Sequence, residues 1–349
     1  MMTCRDRCPA GSRSARPPWG SCRGVVVAVV AGCLAAGSWA TCVLGDEQSP
    51  PGAAHVSWLE RMRRAREALE WTDEVVRHDW RLQRRAGDGG CRIVDPEERV
   101  VHRGSGEECH AAFLALEHDG TVPPMRGTTV ILLHGLGEGR DSMRPLADHL
   151  RSRLDATVVS FGYASVKADI DAHARALATV VGGLPDADCL RFVGHSLGNL
   201  VVRRWMAVAD AVDLARTDRM VMLGPPNQGS DLARMISHVW PLAERAEGAA
   251  RDLVVDWPRV APTLALPTCA FGIVAGGRGD GAGFSPLLPG DDDAVVRVEE
   301  TRLPGASDFL LLPVRHAAMM QHEAVQRATV EFLHHGRFGD AAAAAAPAP

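Results

Sequence analysis

Gly194-His195-Ser196-Leu197-Gly198 stands between the apolar run Arg191-Phe192-Val193 and the helical run Leu197-Gly198-Asn199-Leu200-Val201-Val202. A short apolar run followed by a helix-period run reads as strand, sharp turn, helix. Such a turn lifts the hydroxyl of the central serine above the sheet. It requires glycine at 194 and 198, where a Cβ would strike the neighbouring strand or helix. The amide end of the following helix favours developing negative charge. With 35 glycines in the chain the pentapeptide alone is a weak signal. Its strand-to-helix setting makes Ser196 a candidate nucleophile.

Outward from this turn, apolar runs at 128–133, 156–161, 190–193, 219–223, 269–275 and 309–314 alternate with helical patterns at 143–153, 166–184, 197–209, 230–265 and 318–334. The run Thr128-Thr129-Val130-Ile131-Leu132-Leu133 is continuous, as expected for a parallel strand covered on both faces. Alternating strands and helices predict an α/β domain with a doubly wound, mostly parallel sheet and helices on both faces. A nucleophilic serine also needs two backbone N–H groups aimed at the oxyanion. The amide of Leu197 is one candidate. The other is the amide of Leu136 in His134-Gly135-Leu136-Gly137, just after the run at 130–133. His134 comes too early in the chain to be the base and is expected to orient that loop.

Three segments, Leu133-His134-Gly135-Leu136-Gly137, Gly194-His195-Ser196-Leu197-Gly198 and Gly224-Pro225-Pro226-Asn227-Gln228-Gly229-Ser230, together resemble the α/β-hydrolase superfamily. Within it the likeness is to bacterial lipases and lipase-like relatives of the GPI inositol deacylases, over about residues 125–337. The resemblance implies an α/β-hydrolase fold and the chain order serine, acid, histidine. His316, after Leu310-Leu311-Leu312-Pro313-Val314 and ahead of the last helix, is then the expected general base. Asp293 is the expected acid and Asp280 the alternative. Asp280 closes Gly277-Arg278-Gly279-Asp280 soon after the run at 269–275. Asp293, in Asp291-Asp292-Asp293-Ala294-Val295-Val296, resembles the acid of the Asp-Gly-x-Val segment of bacterial lipases, with Ala294 where glycine is usual. Asp291 and Asp292 stay open beside it. The chemistry implied is hydrolysis of an acyl ester or lipid through a covalent acyl-enzyme, with no metal and no organic cofactor. A thioesterase, deacylase or acyltransferase would use the same residues, whereas a binding module would not need them. Fold analogy does not choose among these.

The chain has 349 residues, 46% hydrophobic and 23% charged, which excludes a wholly disordered or fibrous protein. A formal net charge of -5 argues against nucleic acid as a partner. Residues 1–45 read as an export leader: arginines at 5, 7, 13, 16 and 23 precede an uncharged stretch from Gly24 to Gly45. Val30-Ala31-Gly32-Cys33 resembles a lipobox ending at Cys33, Ser38-Trp39-Ala40 fits a cleavage site, and the stretch is long enough for an uncleaved anchor. Each fate places the rest outside the cytoplasm, secreted or tethered to the membrane through its N-terminus. Residues 46–90 read as a linker and an amphipathic helix over 55–86, ahead of a hydrolase domain at 91–337. Within that domain, extended segments are expected at 99–102 and 111–116. Cys91 and Cys109 are candidates for a disulfide, and no CxxC or HExxH pattern supports a zinc site. The segment 230–267 reads equally as a cover for an acyl pocket or as outer-helix packing. Residues 338–349 form an Ala/Pro low-complexity tail.

Overall fold

The computed structural model describes residues 69–237 and 246–339. Where the sequence led us to expect the end of a helix, the chain instead forms two antiparallel strands, β1 (Trp71–Arg77) and β2 (Trp80–Arg85). They turn at His78-Asp79, with His78 at φ 52°, the positive φ that a two-residue hairpin demands. β3 (Cys91–Val94) and β4 (Val100–Gly104) complete a four-stranded sheet in chain order. A domain boundary at 90 would therefore cut this sheet. The period-2 pattern is hidden because one face buries polar groups. Asp73 accepts hydrogen bonds from Arg81 Nη1 (3.0 Å), Gln83 Nε2 (2.7 Å) and the Gly162 amide (2.7 Å), and Gln83 in turn accepts from Arg92. These bonds pair most of the buried polar atoms, as burial requires, although Arg81 Nε is left without a partner among the described residues.

The other face of the small sheet buries Leu82 and Ile93 against helix α1 (Gly106–His118). The expected extended segment at 111–116 lies inside that helix. Its start carries a capping box: Ser105 Oγ accepts from the Glu108 amide, and the Ser105 amide donates to Glu108 Oε2 at 2.7 Å. Cys91 and Cys109 share the core beneath α1 as free thiols, so the disulfide expected between them is not formed here.

The main sheet follows the prediction. β5 (Thr128–Leu133), β6 (Thr157–Phe161), β7 (Cys189–His195), β8 (Thr217–Leu223), β9 (Ala270–Gly276) and β10 (Asp308–Leu312) are ordered β10-β9-β8-β7-β5-β6, all parallel. Val130 and Leu132 of β5 face a layer made by α2 (Arg144–Arg151) and the last helix, Glu323–His335. Ile131 and Leu133 face the opposite layer, made by α3 (Ile170–Gly182) and α4 (Leu197–Met206). Two covered faces explain why the strands are continuously apolar. This is a mostly parallel sheet flanked by helices, the arrangement of the α/β-hydrolase fold.

The chain runs from β5 outward to β6 and then crosses back to β7 on the other side of β5. That reversal opens a crevice between the carboxyl ends of β5 and β7, where ligands bind in open α/β sheets. In the 230–266 region, Ala249, Leu253 and Leu264 join the core on the α3/α4 side, so this part packs as an outer layer. Phe338, counted with the tail from sequence, is buried against Phe332 at 5.0 Å between ring centroids. Among the described residues no helix is long and apolar enough to cross a membrane. The expected leader at 1–45, the first part of the helix expected over 55–86 and residues 340–349 of the expected tail lie outside them.

Candidate active site

Ser196 sits in the turn between β7 and α4 with φ 51° and ψ -120°. A non-glycine residue held there stores about 1–3 kcal/mol of backbone strain, sustained only when the surroundings over-determine it. They do. The Ser196 amide donates to Leu223 O at 2.9 Å, and Asn199 Nδ2 donates to Ser196 O (3.1 Å) and Leu223 O (3.3 Å). Both flanking glycines prove necessary. A Cβ at Gly194 would lie 2.3 Å from Asn199 Oδ1, and one at Gly198 2.5 Å from Leu133 O.

The loop after β5 comes to the same place. A Cβ on Gly135 would lie 3.3 Å from Ser196 Cβ and 3.2 Å from His195 Nδ1. The peptide that carries the Leu136 amide is oriented by its carbonyl, Gly135 O, which accepts from His134 Nδ1 at 2.9 Å and the Glu138 amide at 3.4 Å. His134 is fully buried, and burial pushes its pKa down. The neutral ring donates from Nδ1 and accepts the Tyr163 amide at Nε2 (3.4 Å). Tyr163, the chain's only tyrosine, stacks on that ring at 4.1 Å and donates its hydroxyl to His134 O. The expected loop-orienting role of His134 thus has a physical basis. Neither the Leu136 nor the Leu197 amide donates to another group among the described residues.

His316 follows β10 and begins a 3-10 turn, His316–Gln321. Its Nδ1 meets Asp293 Oδ2 at 2.6 Å, and its amide donates to Asp293 O at 2.8 Å. Asp293 is fully buried, and its Oδ1 accepts the amides of Val295 (2.9 Å) and Val296 (2.7 Å). Ala294, where glycine was expected, has φ 85°, so the backbone keeps the glycine-like shape with a methyl group in place. The competing acids have other partners. Asp280 is exposed, accepting the Ala282 and Gly283 amides beside Arg278. Asp291 holds the amides of Arg278 and Gly279, both at 2.7 Å. Asp292 Oδ1 holds those of Phe284, Ser285 and Ala294. The ring of His195, next to Ser196, lies 4.6 Å from that of His316. The Ser196 turn, the His316–Asp293 pair and the 134–137 loop therefore share one rim of the sheet.

Burial alone would push the His316 pKa down, but the Asp293 carboxylate outweighs it and holds the ring above its usual value. Two residues at this rim escaped the sequence reading. Gly224, at φ 51°, closes β8, and a Cβ there would lie 3.0 Å from His316 Nδ1 and 3.1 Å from Asp293 Oδ2. It stands in the sequence only as the first residue of the Gly224–Ser230 resemblance, which gave it no such role. Glu138 accepts hydrogen bonds from both the 134–137 loop and His195. Farther along the quoted Pro-Asn-Gln-Gly-Ser segment, Asn227 accepts from Arg203 (3.0 Å) and donates to Thr301 O (2.8 Å). It ties the end of β8 to the short helix Val298–Thr301 that follows Asp293. Among the described residues no group of His, Cys, Asp and Glu could hold a metal ion.

No protein-family model and no curated protein matches the chain. Solved structures do. The mature lipase BlEst2 from Bacillus licheniformis is 17% identical, with a TM-score of 0.43 over 61% of this chain and 91% of that one. Phospholipase PlaB from Legionella pneumophila is 19% identical, with a TM-score of 0.45 over 62% of each chain. Likeness at this level carries no chemistry. That has to come from the chain's own side chains.

Proposed function

We propose that the protein is a serine hydrolase that cleaves carboxylic esters, of the lipase or esterase type. The observation that carries this reading is the 2.6 Å bond from His316 Nδ1 to buried Asp293, at the rim where Ser196 is held in its strained turn. Donation from Nδ1 leaves the lone pair on Nε2, so the base is in the right tautomer. Ser196 Oγ attacks the ester carbonyl carbon while His316 takes the hydroxyl proton, and the oxyanion rests on the amides of Leu136 and Leu197. The intermediate collapses, the alcohol leaves with the proton from His316, and the acyl group stays on Ser196. Water then attacks in the same way and releases the acid. The leader extends the proposal to an enzyme acting outside the cytoplasm on an acyl ester or lipid.

The test is hydrolysis across p-nitrophenyl esters of rising acyl length. A preference for long chains above their aggregation point marks a lipase, a short-chain optimum an esterase, and no turnover of any ester overturns the proposal. In the same assay the rate should fall as pH drops through the pKa of His316, because only the neutral ring accepts the serine proton. Since Asp293 raises that pKa, the midpoint of the acid limb should lie above the ordinary histidine value of 6.5.

A further inference from the structure

Glu138 is largely buried, and one of its oxygens gathers three donors. Oε2 accepts from the Gly135 amide (3.0 Å), Ser142 Oγ (3.0 Å) and His195 Nδ1 (3.3 Å). These donors lie on different pieces of the site: the 134–137 loop, the turn before α2, and the nucleophile turn. The carboxylate's own main chain is tied as well, because Ser165 Oγ donates to Glu138 O (3.4 Å) and accepts from the Gly137 amide (3.0 Å). Glu138, His195 and Ser196 converge on bare Gly135, where an added Cβ would lie within 3.3 Å of all three. As a carboxylate Glu138 draws the His195 proton to Nδ1. His195 Nε2 is then left buried and without a partner, on a ring packed against His316.

We propose that Glu138 is a positioning residue for the acyl transfer: its carboxylate clasps the oxyanion loop to the nucleophile turn and, across the His195 ring, faces the base. The inference rests on the hydrolase reading above. Holding the Gly135 amide fixes the start of the loop whose next amide, that of Leu136, serves the oxyanion. The charge has a second effect. Groups facing His316 are Asp293 from the acid loop, His195 from the nucleophile turn and Glu138 from the loop after β5, while His134 and His195 face Glu138. The negative charge of Glu138 favours the imidazolium of His316, adding to the larger effect of Asp293.

Two variants separate reach from charge. Glu138→Gln keeps the reach and removes the charge. We expect kcat to fall about tenfold with KM within about twofold, the range of a partly lost preorganised contact. Its acid limb should move to lower pH, because an imidazolium without that charge loses its proton sooner. Glu138→Asp keeps the charge and shortens the reach. It should lose about as much kcat with the limb unmoved. The proposal is overturned if both variants keep wild-type kcat and pH profile. It is equally overturned if kcat falls only in step with melting temperature while the Gln limb stays in place. Wild type and Ser196→Ala are assayed alongside. Absence of Ser196-dependent turnover in the wild type would overturn the hydrolase reading and this inference with it. Ser196-dependent turnover with indifferent Glu138 variants would overturn this inference alone.

Discussion

Ser196→Ala is expected to abolish both ester hydrolysis and labelling by an active-site-directed fluorophosphonate, with kcat lower by about 10⁵-fold or more. Alanine keeps the Cβ, so the strained turn at φ 51° is no worse occupied than before. The amide still donates to Leu223 O, and the melting temperature should hold. The loss would therefore report the hydroxyl and not the fold. Equal labelling of variant and wild type would assign the reaction to another serine and remove the reason for the strain.

Asp293→Asn is expected to lower kcat by about 10⁴-fold while leaving KM within a few-fold. An asparagine oxygen still accepts the Val295 and Val296 amides, so the loop should stay in place. Its NH₂ group, however, would face His316 Nδ1 and drive the ring to the other tautomer. The proton would then sit on the nitrogen that has to receive one. Asp280→Asn, remote from His316 and exposed, should change kcat by less than about twofold, within the usual range for a surface substitution. The reverse order of the two effects would transfer the acid role to Asp280.

These residues were legible because their signals are local. The nucleophile turn is a strand, a glycine-flanked serine and a helix in one short stretch, and each constraint acts within a few residues. The loop after β5 is readable for the same reason. Only a short resemblance, weakened by Ala294, favours Asp293 over Asp280 in the sequence; the backbone nonetheless adopts the glycine-like φ at that position. The N-terminal sheet was missed for the opposite reason. Its alternation places Asp73, Gln83 and Arg92 inward, so the period-2 signal is carried by charged and polar side chains that mimic a solvated helix. The helix α1 was announced by Ser105 and Glu108, a capping box that the apolar run at 111–116 overshadowed. Glu138 meets His195 across 57 positions of sequence, Gly224 meets Asp293 and His316 across still more, and no periodicity encodes such contacts.

The order in which the sheet is completed has a consequence for how the molecule is made. The nucleophile turn and the loop beside it can form once β5, β7 and β8 are paired, but the base arrives only behind β10, at the far edge of the sheet. On the proposed reading, a growing chain carries an inert serine until its last strand docks. On that same reading, cleavage power and structural completion are switched on together, and a half-built copy lacks the base it would need.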